Sequence, residues 1–251
     1  MLISPSSPYA LVLAHGDDEI GALPFILANP PDFVLYLTDG SGIGNKSLSQ
    51  TRFVEIGKSW QIISRKVKII HFGLSFGISD GNLHAQLTPD HIEKLILLLS
   101  SSGVKTLMTT YAEGGHQDHD TSFMLSQFLS LKLGMRLLSF SLYSQSSISN
   151  KFFSVMQERG AGERIQISKM HVRANSLFKA LRLMLNYRSQ LKTWAGLGLP
   201  VLFSMTRRFV FLKPSLVTLA DYPESDKLFY HSRRRAIRGE VISSWSKLGI
   251  I

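Results

Sequence analysis

Apolar and polar positions follow two rhythms along the first 145 residues. Tyr9-Ala10-Leu11-Val12-Leu13-Ala14 is a short apolar run without helical period. It stops abruptly at His-Gly-Asp-Asp-Glu, which is the pattern of a strand buried on both faces that opens into a polar loop. Runs of the same kind predict strands at Phe33–Thr38, Val67–Phe72, Val104–Thr110 and Leu137–Tyr143. Helical spacing between them predicts helices at Ile20–Ala28, Ser49–Ile63, Pro89–Ser100 and His119–Leu131. The second starts on a polar residue, Ser47 or Ser49, and the third on Thr88 as N-cap with Pro89 in the first helical position. So regular an alternation implies βαβ crossovers and an α/β class, a mostly parallel β-sheet with helices on both faces. Ligands of such sheets bind beyond the carboxyl ends of the strands. The loops His15–Glu19, Asp39–Asn45 and Glu113–Asp120 are therefore expected on one rim.

The rhythm changes after residue 150. Leu177, Ala180, Met184, Tyr187, Leu191 and Trp194 recur at steps of three and four, predicting one long helix from Arg173 to Trp194. Arg164–Met170, Phe209–Lys213 and Leu216–Leu219 read as short strands, and a basic helix closes the chain from Ser232 to Trp245. No Pro/Gly/Ser linker separates the halves. A single domain is expected, with a core over 1–150 and a basic C-terminal elaboration over 151–251 that completes the substrate pocket.

Composition narrows the class. The chain has 251 residues, 44% hydrophobic and 18% charged, as in an ordinary globular protein, and its lack of cysteine excludes disulfide scaffolds and thiolate metal sites. Its net charge of +10 is unevenly placed: residues 1–125 hold 8 Lys+Arg and 12 Asp+Glu, leaving 20 and 6 for the rest. The basic half suits phosphate, nucleic acid or an anionic membrane surface, or simply a solvated face. Met-Leu-Ile-Ser-Pro-Ser-Ser-Pro does not read as an export signal, and the charge-free run Thr193–Thr206 is interrupted by Gly196, Gly198 and Pro200. A cytoplasmic protein is expected, in solution or peripheral at the inner membrane face.

Ionisable residues crowd at two strand-to-helix junctions, His15-Gly16-Asp17-Asp18-Glu19 and His116-Gln117-Asp118-His119-Asp120. A hydrolytic zinc takes about three ligands from His and Asp/Glu, an open position for water and a nearby base that is not a ligand. These loops can supply two imidazoles and one carboxylate and keep a further carboxylate and imidazole in reserve. Asp17 and Asp18 leave the backbone in different directions, so one can bind metal while the other faces the water. His116 and His119 share one side of a turn, one as ligand and the other as donor to an oxyanion. Asp118 or Asp120 can orient a ligating imidazole through its second nitrogen.

Leu13-Ala14-His15-Gly16-Asp17-Asp18-Glu19 resembles the Ala-His-Pro-Asp-Asp-Glu signature of the LmbE/PIG-L-like zinc-dependent N-deacetylases. Gly114-Gly115-His116-Gln117-Asp118-His119-Asp120 resembles their His-Pro-Asp-His signature. Further matches are Leu37-Thr38-Asp39-Gly40, Arg52 with Glu55, Phe72-Gly73, Asp80-Gly81-Asn82-Leu83 and Tyr187-Arg188-Ser189-Gln190, so the resemblance spans residues 9–190. It implies a Rossmann-like fold and hydrolysis of an acetamide, commonly that of N-acetylglucosamine in a glycolipid or glycoside. By position it implies zinc on His15, Asp18 and His119, Asp17 as general base, His116 as oxyanion stabiliser or proton donor, and Arg52 and Asp80 at the sugar. Iron(II) suits two His and one Asp equally. Gly16 and Gln117 stand where the family has proline, and glycine gives the first loop more backbone freedom. Arg207-Arg208-Phe209 replaces a Glu before Phe, making the distal pocket more basic.

Other candidates read more plainly. Asp39-Gly40-Ser41-Gly42-Ile43-Gly44 lacks the Gly-Lys-Ser/Thr ending of a phosphate loop and reads as a flexible rim loop. His71, His84, His91, His171 and His231 lack partners at ligand spacing. Tyr111 is a candidate mobile donor, with a packing role equally open. Tyr187 reads as core, with Ser189 and Gln190 as rim contacts to substrate. Arg233-Arg234-Arg235 with Arg238, Arg182/Arg188 and Arg207/Arg208 flank apolar residues, a mixture suited to anionic lipid or to a phosphate- or lipid-linked sugar. No nucleic-acid module is present, so nucleic acid is not expected as a partner. The competing reading is a non-catalytic basic membrane- or nucleic-acid-binding protein with a vestigial metal site.

Overall fold

The computed structural model describes residues 8–142, 165–170, 174–195, 198, 202, 209–214, 216–224, 228, 230 and 235–251. Seven strands form one sheet: β1 (Tyr9–Leu13), β2 (Phe33–Tyr36), β3 (Lys68–His71), β4 (Thr106–Thr110), β5 (Arg136–Phe140), β6 (Ile165–Met170) and β7 (Phe209–Pro214). The order is β3-β2-β1-β4-β5-β7-β6. The first five strands run parallel, while β7 pairs antiparallel with both β5 and β6. The α/β, Rossmann-like class expected from the sequence is the one observed, with an antiparallel edge added by the C-terminal half.

The helices are α1 (Glu19–Ala28), α2 (Lys46–Ile63), α3 (Phe72–Phe76), α4 (Leu83–Gln86), α5 (Pro89–Ser102), α6 (Gln117–Leu133), α7 (Ala174–Asn186) and α8 (Arg238–Lys247). The two-residue period of β1 divides the core. Tyr9, Leu11 and Leu13 pack with α1, α2 and α7 on one face of the sheet. Ala10 and Val12 pack with α4, α5, α6 and α8 on the other. Trp245 of α8 is fully buried and donates its indole N–H to Thr121 Oγ1 of α6 at 3.1 Å, so the chain's last helix belongs to the core.

Four details differ from the sequence reading. Helix α2 is capped by Asn45, whose side chain accepts from Leu48 N–H, rather than by Ser47 or Ser49. Thr88 and Pro89 do start α5 as expected. The predicted helix over 173–194 ends at Asn186 and resumes over 191–195 after a 3-10 turn at Arg188–Gln190. It breaks because Ser189 N–H and Oγ donate to the Glu55 carboxylate and Asn186 Nδ2 to Glu55 O, contacts that a continuous helix would carry elsewhere. Leu216–Leu219 is not a strand: Val217 exchanges both backbone hydrogen bonds with the side-chain amide of Gln127, which takes the place of a neighbouring strand. The last helix begins at Arg238. Arg207, Arg208, Arg233, Arg234, His171, His231 and most of 196–208 lie outside the described residues.

Candidate metal centre

From β1 the chain winds outward through β2 and β3, then returns to place β4 on the other side of β1. The loops after β1 and β4 thus part over the point where strand order reverses, the usual ligand crevice of an open parallel sheet. Both signature loops start here, and Thr38 N–H, donating to Ala14 O at 3.1 Å, holds the loop after β2 alongside.

His15, Asp18 and His119, all buried, converge. His15 Nδ1 lies 3.2 Å from His119 Nε2, His119 Nε2 lies 3.0 Å from Asp18 Oδ1, and His15 Nδ1 lies 3.7 Å from Asp18 Oδ2. Ligand atoms about 2.0–2.1 Å from a tetrahedral zinc are about 3.3 Å apart, so this set fits the ion. Electrostatics point the same way. Burial opposes a charge on His15, yet Asp80, Asp118 and Asp18 outweigh it and hold the imidazole pKa well above its usual value. Burial likewise opposes ionisation of Asp18, but His119 and His15 hold its pKa far below the usual range. The cluster favours positive charge at its centre.

A second set, His15, His116 and Asp118, also lies within ligand spacing. Asp118, however, is already committed: its carboxylate accepts from Gly81 N–H at 2.6 Å, Leu83 N–H at 3.1 Å and His15 Nε2 at 3.1 Å. It holds His15 by Nε2, the nitrogen opposite the Nδ1 that faces Asp18 and His119, as a carboxylate that supports a metal-binding imidazole would. Asp120, the other carboxylate considered for that task, accepts from Gly114 N–H and from the Tyr222 hydroxyl at 2.6 Å, and burial raises its pKa to about 6.

His116 is the N-cap of α6, and its Nδ1 accepts Asp118 N–H at 3.2 Å. Burial and the neighbouring His15 push its pKa down to about 3. The ring is therefore neutral with its proton on Nε2, the nitrogen 3.9 Å from Asp80 Oδ1. A neutral imidazole at a helix N-terminus can donate to an oxygen that is gaining charge. Asp17 is half-buried, and its carboxylate makes no hydrogen bond among the described residues. Burial, and then Asp18, raise its pKa well above the usual carboxylate value. Its backbone φ is +106°, unusual for a residue with a Cβ.

The remaining predicted residues fall unevenly around this centre. Asp80 reaches it directly, with Oδ1 at 3.2 Å from His15 Nε2 and Oδ2 at 3.7 Å from Arg52 Nη1. The loop read as a flexible rim supports it, since Asp80 N–H donates to Ser41 O at 2.9 Å. Gln190 lies in the turn after α7, where its amide oxygen accepts from Thr193. Tyr111 packs edge-on against Phe123.

Both replaced prolines have structural reasons. Gly16 does not adopt a left-handed conformation, so the extra freedom expected of it is not used. Instead, a Cβ there would lie 2.5 Å from Ile56, whose side chain fills that space. Gln117 donates from Nε2 to Gly81 O at 3.0 Å and so ties the Asp80 loop to α6, which proline could not do. Sequence reasoning missed these two contacts and the burial of Glu19, whose only signal was its place in the Asp-Asp-Glu run.

No family model and no curated protein matches the chain. Solved structures do match. A deacetylase of the teicoplanin biosynthesis pathway superposes with a TM-score of 0.61 at 11% identity, covering 84% of this chain and 100% of its own. The deacetylase of the antimicrobial A40926 pseudoaglycone gives 0.61 at 12%, covering 84% and 99%. A conserved protein from Thermus thermophilus gives 0.52 at 18%, covering 89% and 100%. One teicoplanin deacetylase structure is described as zinc-inhibited. The chain thus shares the fold of these deacetylases.

Proposed function

We propose that the protein is a metal-dependent hydrolase that removes the acetyl group from an N-acetylated, N-acetylglucosamine-like sugar in a glycan, glycolipid or sugar-phosphate precursor. The observation that carries this reading is the convergence of His15, Asp18 and His119 with Asp17 and His116 beside them at the strand-order reversal. A vestigial site would not be expected to keep all three ligands, the orienting Asp118 and a partly exposed carboxylate together.

Zinc or iron(II) held by His15, Asp18 and His119 would supply a Lewis acid and make water acidic enough to react near neutral pH. Asp17, adjacent to the ligand Asp18 and with its carboxylate free of hydrogen bonds among the described residues, takes the proton of the attacking water. His116 presents Nε2–H to the oxygen that becomes negative as the acetamide carbonyl turns tetrahedral. The departing sugar amine then takes that proton from the Asp17 carboxyl as the C–N bond breaks, leaving acetate and the free amine. Arg52 and Asp80 hydrogen-bond the sugar at the mouth. The supporting comparison is the shared fold, since one solved relative is described as a complex with teicoplanin. Acetate release from a panel of N-acetylhexosamine compounds, by purified protein loaded with zinc or iron(II), tests the reading. The expected result is turnover that Asp17→Asn abolishes; no release from any compound with either metal would overturn it.

An anionic partner is proposed for the basic half. Between Glu163 and Asp221 the chain carries ten Lys and Arg and no Asp or Glu. On α7, Ala180, Leu183 and Met184 face the core, yet Phe178, Leu181 and Leu185 are 68%, 44% and 60% exposed, with Arg182 and Arg188 beside them. A helix apolar on two faces and flanked by cations suits an anionic lipid surface that holds the substrate. Arg238 is not part of this patch: it donates to Pro223 O and lies over the Tyr222 ring. No helix among the described residues is long and apolar enough to cross a membrane.

A further inference from the structure

Glu19 is fully buried although it opens a helix, where an acidic residue normally meets solvent. A charge preference at a helix start does not account for taking a carboxylate out of water; bonds to it must. Its Oε2 accepts from Asp17 N–H at 3.0 Å and from the Tyr36 hydroxyl at 3.1 Å, and its Oε1 accepts from the Tyr187 hydroxyl. Trp60 donates its indole N–H to the Tyr36 oxygen at 2.8 Å, closing the network. Two separate segments, β2 through Tyr36 and the residue that follows α7, Tyr187, therefore converge on one carboxylate, α2 supports Tyr36 through Trp60, and a further bond goes to the backbone of Asp17.

Asp17 sits at φ +106°, and a side-chain-bearing residue stays in such a region only where its surroundings over-determine it. No side chain of residue 16 can hold the loop, because that residue is glycine. Ile56, and the Tyr187 ring 3.7 Å from where a Cβ of Gly16 would be, brace it from below. The bonds of Asp18 run elsewhere, to His15 N–H at 2.9 Å and to His119 Nε2.

We propose that Glu19, anchored by Tyr36 and Tyr187, is a positioning residue that fixes the backbone of Asp17 and so aims its carboxyl at the reacting water. The C-terminal half thereby contributes to the site through Tyr187 without touching it. The inference rests on the reading of Asp17 as general base. It separates two functions of adjacent residues: the Glu19 network sets the base, while the histidines and Asp118 set the metal.

The test uses the full chain loaded with zinc and the variants Tyr187→Phe, Glu19→Gln and Glu19→Ala. Amide hydrogen exchange at Asp17 is expected to speed up at least tenfold in Tyr187→Phe and Glu19→Ala. Their kcat is expected to fall by about 10- to 100-fold, with KM and zinc stoichiometry unchanged. Glu19→Gln, whose amide oxygen can still accept from Asp17 N–H, should recover part of both effects. Tyr187→Phe removes a single hydroxyl and carries the test if Glu19→Ala does not fold. Unchanged exchange, unchanged kcat, or zinc lost in step with activity would each overturn the proposal. If the wild type releases no acetate, the deacetylase reading fails, while the exchange rates still decide whether Glu19 holds Asp17.

Discussion

Asp118 Oδ2 lies 3.1 Å from His15 Nε2 and also accepts the Gly81 amide, so one buried carboxylate fixes both the His15 imidazole, a proposed metal ligand, and the loop that carries Asp80. Removing the charge while keeping the shape should loosen the metal without unfolding the protein. Asp118→Asn is expected to weaken zinc affinity by about 10- to 100-fold. Competition with a chelator measures it; an unchanged affinity would remove Asp118 from the metal's support.

The proposed oxyanion role of His116 has its own test. Because Asp118 N–H occupies Nδ1, the proton on Nε2 is available to substrate in the neutral ring. His116→Ala should lower kcat by about 10²- to 10³-fold, with zinc still bound at one equivalent. Loss of the metal along with activity would instead make His116 a ligand, as in the second donor set.

Much of this arrangement was legible in the sequence because it is local or periodic. The Tyr9–Leu13 run and its two faces, the Thr88-Pro89 helix start and the clustering of the two polar loops all follow from residues close in the chain. What escaped was long-range. Tyr187 lies on an apolar helical stripe, and only the fold shows its hydroxyl meeting Glu19, 168 positions away. Gln127 imitates a strand for Val217, so a β-rich run had no true strand partner. The meaning of Gly16 lies in Ile56 rather than in its own backbone.

Ile56 gives that last point a measurable form. Gly16→Ala would press a methyl against the Ile56 side chain and is expected to destabilise the fold by about 1–3 kcal/mol. Shortening Ile56 should relieve the clash, so Gly16→Ala with Ile56→Ala should cost less than the two single changes together. Denaturant unfolding of the four proteins decides it, and strict additivity would show that the two residues do not compete for space.

His71 contributes a pH dependence away from the metal. It stacks on Tyr36 and meets Phe53, and burial lowers its pKa. The unfolded chain therefore binds a proton more readily than the folded one, and stability present above about pH 6.5 declines as the pH falls below it. His71→Gln should flatten that decline between neutral and mildly acidic pH when Tm is followed. An identical slope in the two proteins would mean that His71 is not a source of the dependence.

The apolar and basic face of α7 makes the last prediction, one independent of catalysis. Phe178 and Leu185, two helical turns apart, lie on one exposed stripe of α7, with Arg182 between them. Insertion of such a face depends on both apolar area and cations, so binding to vesicles containing anionic lipid should exceed binding to neutral vesicles and weaken as salt rises. Phe178→Asp with Leu185→Asp should abolish it, since two carboxylates replace two apolar contacts and oppose the lipid charge. These positions are solvent-facing, so the variant should keep its metal and its Tm. Equal sedimentation with both vesicle types, or binding unaffected by the double change, would overturn the assignment of this face to an anionic lipid surface.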